Sequence, residues 1–335
     1  MNFQKQSFAP TLAEQVSVKP VGTDDGSLFE SVYCPIRMGN AAPIAYGGFT
    51  LGVAVAAAAQ TVPSTHKLYS VLGHYLGPAS TSSPVRIQIH RTRDTKSFAT
   101  RRAQVTQDHN GQQRTCLEVL LDFHVVEDAL FRYSEPPAYP LDAARPEDGI
   151  SWEAQVAKHV ANKTISRKVA AVADMAFAPS EAFFEGRGVP EGVSSQNLLG
   201  IAKTAKTTQD DLPITSKWSS VWQRMRGDRQ AAASDAAQWA CLAFIMDGAL
   251  SFLPLTHSNR FLDDAGACSS LDIALRVFQP HVDLSQWHLR QAMTKTADAG
   301  RTYSENVLWD EQGRMVASMT QQSIMRAPSR PRSKM

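Results

Sequence analysis

Along two stretches of the chain, apolar and polar residues alternate from one position to the next. Each of these stretches follows a run in which the alternation vanishes. The first such run is YGGFTLGVAVAAAAQTVP (Tyr46 to Pro63), small and apolar on every side. That pattern predicts a helix buried all round, entered through two glycines. Four strand-like segments follow, starting at Lys67, Val85, Phe98 and Arg114. In VRIQIHRTR, Val85, Ile87 and Ile89 share one face, while Arg86, Gln88 and His90 share the other. DTKS and DHNGQQ supply the turns. The order then recurs. A helix is predicted from Asp235 to Phe252, followed by strands SLDIALRVF, QWHLRQAMTKT, RTYSENVLW and RMVASMTQQSIMR. ADAG and DEQG make turns between them.

One central helix wrapped by an antiparallel sheet, twice over, predicts an α+β double hot dog, with the two sheets joined into one. The expected N-terminal hot dog covers 28–128 and the C-terminal one 215–327. Between them, 129–214 reads as a partly irregular connector with at least one strand pairing into the second sheet. A length of 335 residues suits two such units. A net charge of +2 with no basic stripe excludes nucleic acid as a partner. Leu51 to Ala59 is too short to span a bilayer, and MNFQKQSFAPTLAEQ lacks the apolar centre of a secretion signal. The four cysteines are scattered with no CxxC pair, so no metal site and no cofactor are expected.

Two residues break the apolar pattern. Trp239, Ala243, Asp247 and Leu250 share a helical face, which sets a carboxylate among buried neighbours. Such a group finds partners or shifts its pKa upward. On the last strand, Gln321 interrupts the stripe Met315, Ala317, Met319, Ser323 and Met325, and a buried amide needs hydrogen bonds. Ser270 opens the first strand after the Asp247 helix. A carboxylate, an amide and a hydroxyl converging there would orient a water. Gly47 and Gly48, at a helix start, would offer backbone N–H groups to a substrate carbonyl. Arg91, Arg93, Lys96, Arg101 and Arg102 are candidates for a phosphate contact, although charged strands are commonly just solvated.

These features together resemble the acyl-CoA thioesterase II family, the double hot dogs of bacteria and of eukaryotic peroxisomes. The N-terminal half carries the resemblance in YGGFTLGVAVAAAAQTVP, HYLGPAS and RTRDTKSFATRRAQVTQ, and the C-terminal half in LAFIMDGALSFLP, SSLDIALRVF and VASMTQQSIMR. The resemblance implies hydrolysis of acyl-CoA, with Asp247, Ser270 and Gln321 as the catalytic set. Ser270 stands where Thr is familiar, and Phe49 where Gln is common. The resemblance also implies further pairing into a homo-oligomer. The alternatives are an acyl-CoA-binding hot dog without activity, or an enoyl-CoA hydratase, whose Asp-x-Asn-Pro-x-His arrangement is absent. No G-x-S-x-G elbow occurs. The tail, 328–335, ends in Ser333, Lys334 and Met335, which resembles the Ser-Lys-Leu address read by the peroxisomal import receptor. A peroxisomal matrix location is therefore expected.

Overall fold

The computed structural model describes residues 6–22, 26–40, 42–138, 145–227 and 234–328. The Ser333–Met335 address falls outside the described residues. The N-terminal half holds α1 (Leu12–Gln15), β1 (Val18–Pro20), β2 (Leu28–Ser31), α2 (Gly47–Ala59), β3 (His66–Tyr75), β4 (Arg86–Asp94), β5 (Phe98–His109) and β6 (Gln112–Val125). The connector holds α3 (Trp152–Ala161), α4 (Arg167–Phe183), β7 (Phe184–Gly188) and α5 (Val193–Asn197). The C-terminal half holds β8 (Trp218–Met225), α6 (Asp235–Met246), α7 (Leu253–Thr256), β9 (Ala267–Ser270), β10 (Asp272–Val277), β11 (His288–Asp298), β12 (Arg301–Asp310) and β13 (Met315–Arg326).

All strands join one antiparallel sheet in the order β1-β2-β4-β5-β6-β3-β10-β13-β12-β11-β8-β7, with β9 paired to β13. The order is a mirror about the β3–β10 junction. In each half the strand before the helix pairs with a strand that follows it, β2 with β4, the second after α2, and β8 with β11, the third after α6 because β9 lies off the main strand path. This is the double hot dog, and its two halves make one continuous sheet. The connector is not a detached loop: β7 extends the sheet beside β8. The strap after β6 also crosses onto the C-terminal half, where Glu135 O accepts from Trp309 Nε1 at 2.8 Å.

Two central helices pack inside the sheet, and their small residues set how closely. A Cβ on Gly52 would lie 3.0 Å from Ala240 O, and one on Gly48 would lie 2.5 Å from Phe244 O. The steps 48 to 52 and 244 to 240 run oppositely, so α2 and α6 are antiparallel. The N-terminus of α2 therefore meets the C-terminus of α6. Neither helix has a polar stripe, because each is buried on nearly every side, including Leu51, Val55, Leu242 and Phe244. The stretch Asp235–Thr256 is apolar and long enough to cross a membrane by composition, yet 89% of its most apolar 18 residues are buried within the fold. Its apolarity is that of a core element.

The second helix is shorter than its apolar pattern predicts. It stops at Met246, and Asp247 is its C-cap rather than a mid-helix residue. Ala249 then adopts the left-handed conformation, with φ 69°, before a single tight turn at Leu250–Phe252. The cause lies in the sheet. Asn306 Nδ2 donates to Met246 O at 2.9 Å and Gly248 O at 3.1 Å, and Arg290 Nη1 donates to Ile245 O at 2.7 Å. Side chains thus satisfy the carbonyls that a continued helix would have bonded to its own N–H groups.

Candidate active site

The antiparallel helix pair brings Asp247, at the end of α6, against Gly47 and Gly48, at the start of α2. Asp247 is 5% exposed. Gln321 Nε2 donates to its Oδ1 at 2.7 Å, and the Tyr75 hydroxyl donates to the same oxygen at 3.3 Å. The Gly48 backbone N–H also donates to the carboxylate. Burial pushes the Asp247 carboxyl up to about 6, against the pull of these three hydrogen bonds and the Arg290 charge. Charge is costly here, but the donors make the ionised form attainable near neutral pH.

Gln321 rather than its neighbour faces the carboxylate. It is 1% exposed on the inner face of β13, while Gln322 turns to Asp272. Ser323, two residues on and so on the same face, donates from Oγ to Gln321 Oε1 at 3.1 Å. That bond fixes the amide with its nitrogen toward Asp247. Ser270 on β9 lies directly opposite Ser323 on β13. Opposed residues of an antiparallel pair share a face, so Ser270 sits on the inner face while Ser269 is exposed. Among the described residues, Ser270 makes no side-chain hydrogen bond to Asp247 or Gln321. The hydroxyl that touches the pair is Ser323, which sequence reading placed in the stripe but did not single out.

The two glycines are sterically required. A Cβ on Gly47 would lie 2.9 Å from both Asp247 Oδ2 and the Tyr75 hydroxyl, and one on Gly48 would lie 2.4 Å from Tyr46 Cε1. Both N–H groups were expected to meet a substrate carbonyl. Gly48 instead spends its N–H on Asp247, whereas among the described residues the Gly47 N–H has no partner. Phe49 is fully buried in the core. Tyr75 and Tyr46 flank the site, and burial followed by the Asp247 charge raises both phenols, so each stays a proton donor. Tyr46 anchors the helix crossing, donating to Phe244 O at 2.8 Å.

Of the basic candidates, Arg101 is not available to a phosphate. It is fully buried, with its guanidinium on Thr61, just past the C-terminal end of α2, and on Asp94, at the end of β4. Among the described residues, no group of three or more His, Cys, Asp or Glu side chains is placed to hold a metal ion.

Residues 34–124 match the acyl-CoA thioesterase N-terminal domain, and residues 169–325 match the acyl-CoA thioesterase C-terminal domain. The chain belongs to the acyl-CoA thioesterase II family. The second match begins inside α4, so within the family the later part of the connector goes with the C-terminal hot dog. Solved structures share the fold. The acyl-CoA thioesterase II TesB2 of Mycobacterium marinum is 18% identical, with 96% of this chain and 98% of that one covered at a TM-score of 0.64. A putative thioesterase II of Thermobifida fusca is 16% identical, with 92% and 96% covered at 0.64. A conserved hot-dog protein of unknown function from Alicyclobacillus acidocaldarius is 14% identical, with 94% and 97% covered at 0.62.

Proposed function

We propose that this protein hydrolyses acyl-CoA thioesters to a carboxylic acid and coenzyme A, with Asp247 activating the attacking water. The observation that carries this reading is the buried Asp247 carboxylate, held by Gln321, Tyr75 and Gly48 where the two central helices meet. A carboxyl titrating near 6 is mostly ionised at neutral pH, yet basic enough to take a proton from water. Ser323 and Gln321 hold its direction. The Gly47 N–H, at the positive end of α2, is the donor for the thioester oxygen as charge develops there. The leaving thiolate needs little protonation, because a thiol has a reference pKa of about 8.5. Hence a site without a histidine suffices. Ser270, on the same inner face, completes the polar wall around the water.

The test is a panel of acyl-CoAs of different chain types, incubated with the purified protein and a thiol-detecting dye. Release of thiol from at least one member is expected. No release from any member would end the reading.

The location proposed is the peroxisomal matrix, supported by Ser333, Lys334 and Met335 at the end of the sequence. A fluorescent protein fused to the N-terminus should form puncta with a peroxisomal marker and turn diffuse when those three residues are removed. A diffuse signal from the intact tail would refute the location without touching the chemistry.

A further inference from the structure

Each of the two central helices ends on a guanidinium supplied by the sheet. At the end of α2, Arg101 on β5 donates from Nη2 to Thr61 O at 2.9 Å and from Nε to Thr61 Oγ1 at 2.8 Å. At the end of α6, Arg290 on β11 donates from Nη1 to Ile245 O at 2.7 Å and to Gly248 O at 3.3 Å. Neither helix carries a basic residue in its own last turn. A helix C-terminus bears roughly half a negative charge, so in both cases the compensating cation comes from across the fold. The two ends differ in what balances that cation. Arg101 Nη2 also meets Asp94 Oδ1 at 2.6 Å, a complete ion pair. Among the described residues, no carboxylate lies within salt-bridge distance of Arg290. What stands beside it is Asp247, which in sequence falls between the two carbonyls that Arg290 holds.

A carboxylate in that place is disfavoured twice, by burial and by the negative end of α6. Two side chains of the sheet answer the carbonyls there, Asn306 and Arg290, and only Arg290 is charged. Its charge also draws the Asp247 carboxyl down. The other titratable groups at this end do not share that role. Tyr46 and Tyr75 stay protonated and neutral beside Asp247. Glu181 lines the same cavity of about 140 Å³ as Arg290, but the charges acting on it are Arg226, Asp174, Arg187 and Glu153.

We propose that Arg290 is a positioning residue for the reaction: it holds the backbone on both sides of Asp247 and is the counter-charge that lets this carboxylate stay ionised while buried. It acts through Asp247 rather than on the substrate. The proposal rests on the thioesterase reading for the chemistry that Asp247 performs. Two substitutions separate charge from capping. Arg290→Gln keeps a neutral donor and removes the charge, whereas Arg290→Lys keeps the charge on a different donor geometry. In profiles of kcat/KM against pH, Arg290→Gln should move the acid limb up by about one unit, which is about tenfold in rate at pH 5, while Arg290→Lys should leave the limb in place. A limb unmoved in Arg290→Gln, or moved equally in both variants, would overturn the proposal. A second measurement needs no turnover. Urea unfolding of the wild-type, Arg290→Gln, Asp247→Asn and doubly substituted proteins gives the coupling between the two sites. It should be worth about tenfold in the folding constant at pH 8, where Asp247 is ionised, and vanish at pH 4, where it is protonated. A coupling absent at pH 8, or equal at both pH values, would overturn the proposal as well. A wild-type protein that releases no thiol would instead overturn the proposed function, and the unfolding cycle would still decide this inference.

Discussion

Asp247→Asn should give a protein that is catalytically crippled yet more stable at pH 8. Burial pushes the Asp247 carboxyl up to about 6 in the fold, well above the ordinary value of a solvated aspartate, about 3.9. At about 1.4 kcal/mol per unit, ionising the buried group costs the native state about 3 kcal/mol. The sign follows from proton binding. The native state holds its proton over a pH range where the unfolded chain has released it. The stability contributed by protonation is therefore full below about pH 4 and lost as pH rises through about 6. Asn carries no charge and escapes that cost, but its NH2 cannot accept as the second carboxylate oxygen does. One lost acceptor costs about 1 kcal/mol. The variant should thus exceed the wild type by about 1–2 kcal/mol at pH 8 and fall about 1 kcal/mol short at pH 4. Urea unfolding of both proteins from pH 4 to 8 measures this, and equal m-values would certify that both unfold the same surface. Taking the difference cancels other titrating groups, such as His257, whose burial lowers it to about 3. A variant less stable at pH 8, or a difference that does not change with pH, would refute the reasoning.

The pH profile of kcat/KM should rise about tenfold per unit below pH 6 and level off above about pH 7, as Asp247 ionises; a flat profile would count against it as the base. Gln321→Ala should slow turnover about 10- to 100-fold, the loss of a bond to a buried charge, and move that profile to higher pH, because the Gln321 bond holds the carboxyl down. Ser323→Ala and Ser270→Ala should have smaller effects, and combined variants should be less than additive when rates are compared. Gly47→Ala should lose activity with the fold retained, since its Cβ meets only the tips of Asp247 and Tyr75. Gly48→Ala should lose about 1–3 kcal/mol of stability in denaturant titration, since its Cβ meets the α6 backbone.

The repeat of helix and strands, and the two polar residues inside apolar runs, were legible in the sequence because each rests on local periodicity. Asp247 and Gln321 stood out against their own neighbours, and alternation alone put Ser323 on the Gln321 face. Tyr75 was not legible, since an aromatic at a strand end is unremarkable until the fold brings it across 172 residues to Asp247. Arg290 and Asn306 were hidden for the same reason, and with them the end of α6. Hydropathy runs on past Met246, so the pattern extended the helix to Phe252. The pair Asp247-Gly248 was the available turn signal. The register of Ser269 against Ser270 depends on which residue lies opposite Ser323, and that pairing is set by the sheet rather than by the strand.

The central claim is that the Asp247 carboxylate drives hydrolysis of an acyl-CoA. Its most direct test compares the initial rate of thiol release by the wild-type and Asp247→Asn proteins, at pH 8 and saturating acyl-CoA, with far-ultraviolet circular dichroism confirming equal folding. The account predicts a rate lower by about 10²–10⁴-fold in the variant. An Asp247→Asn protein that is equally folded and turns over at the wild-type rate would contradict it.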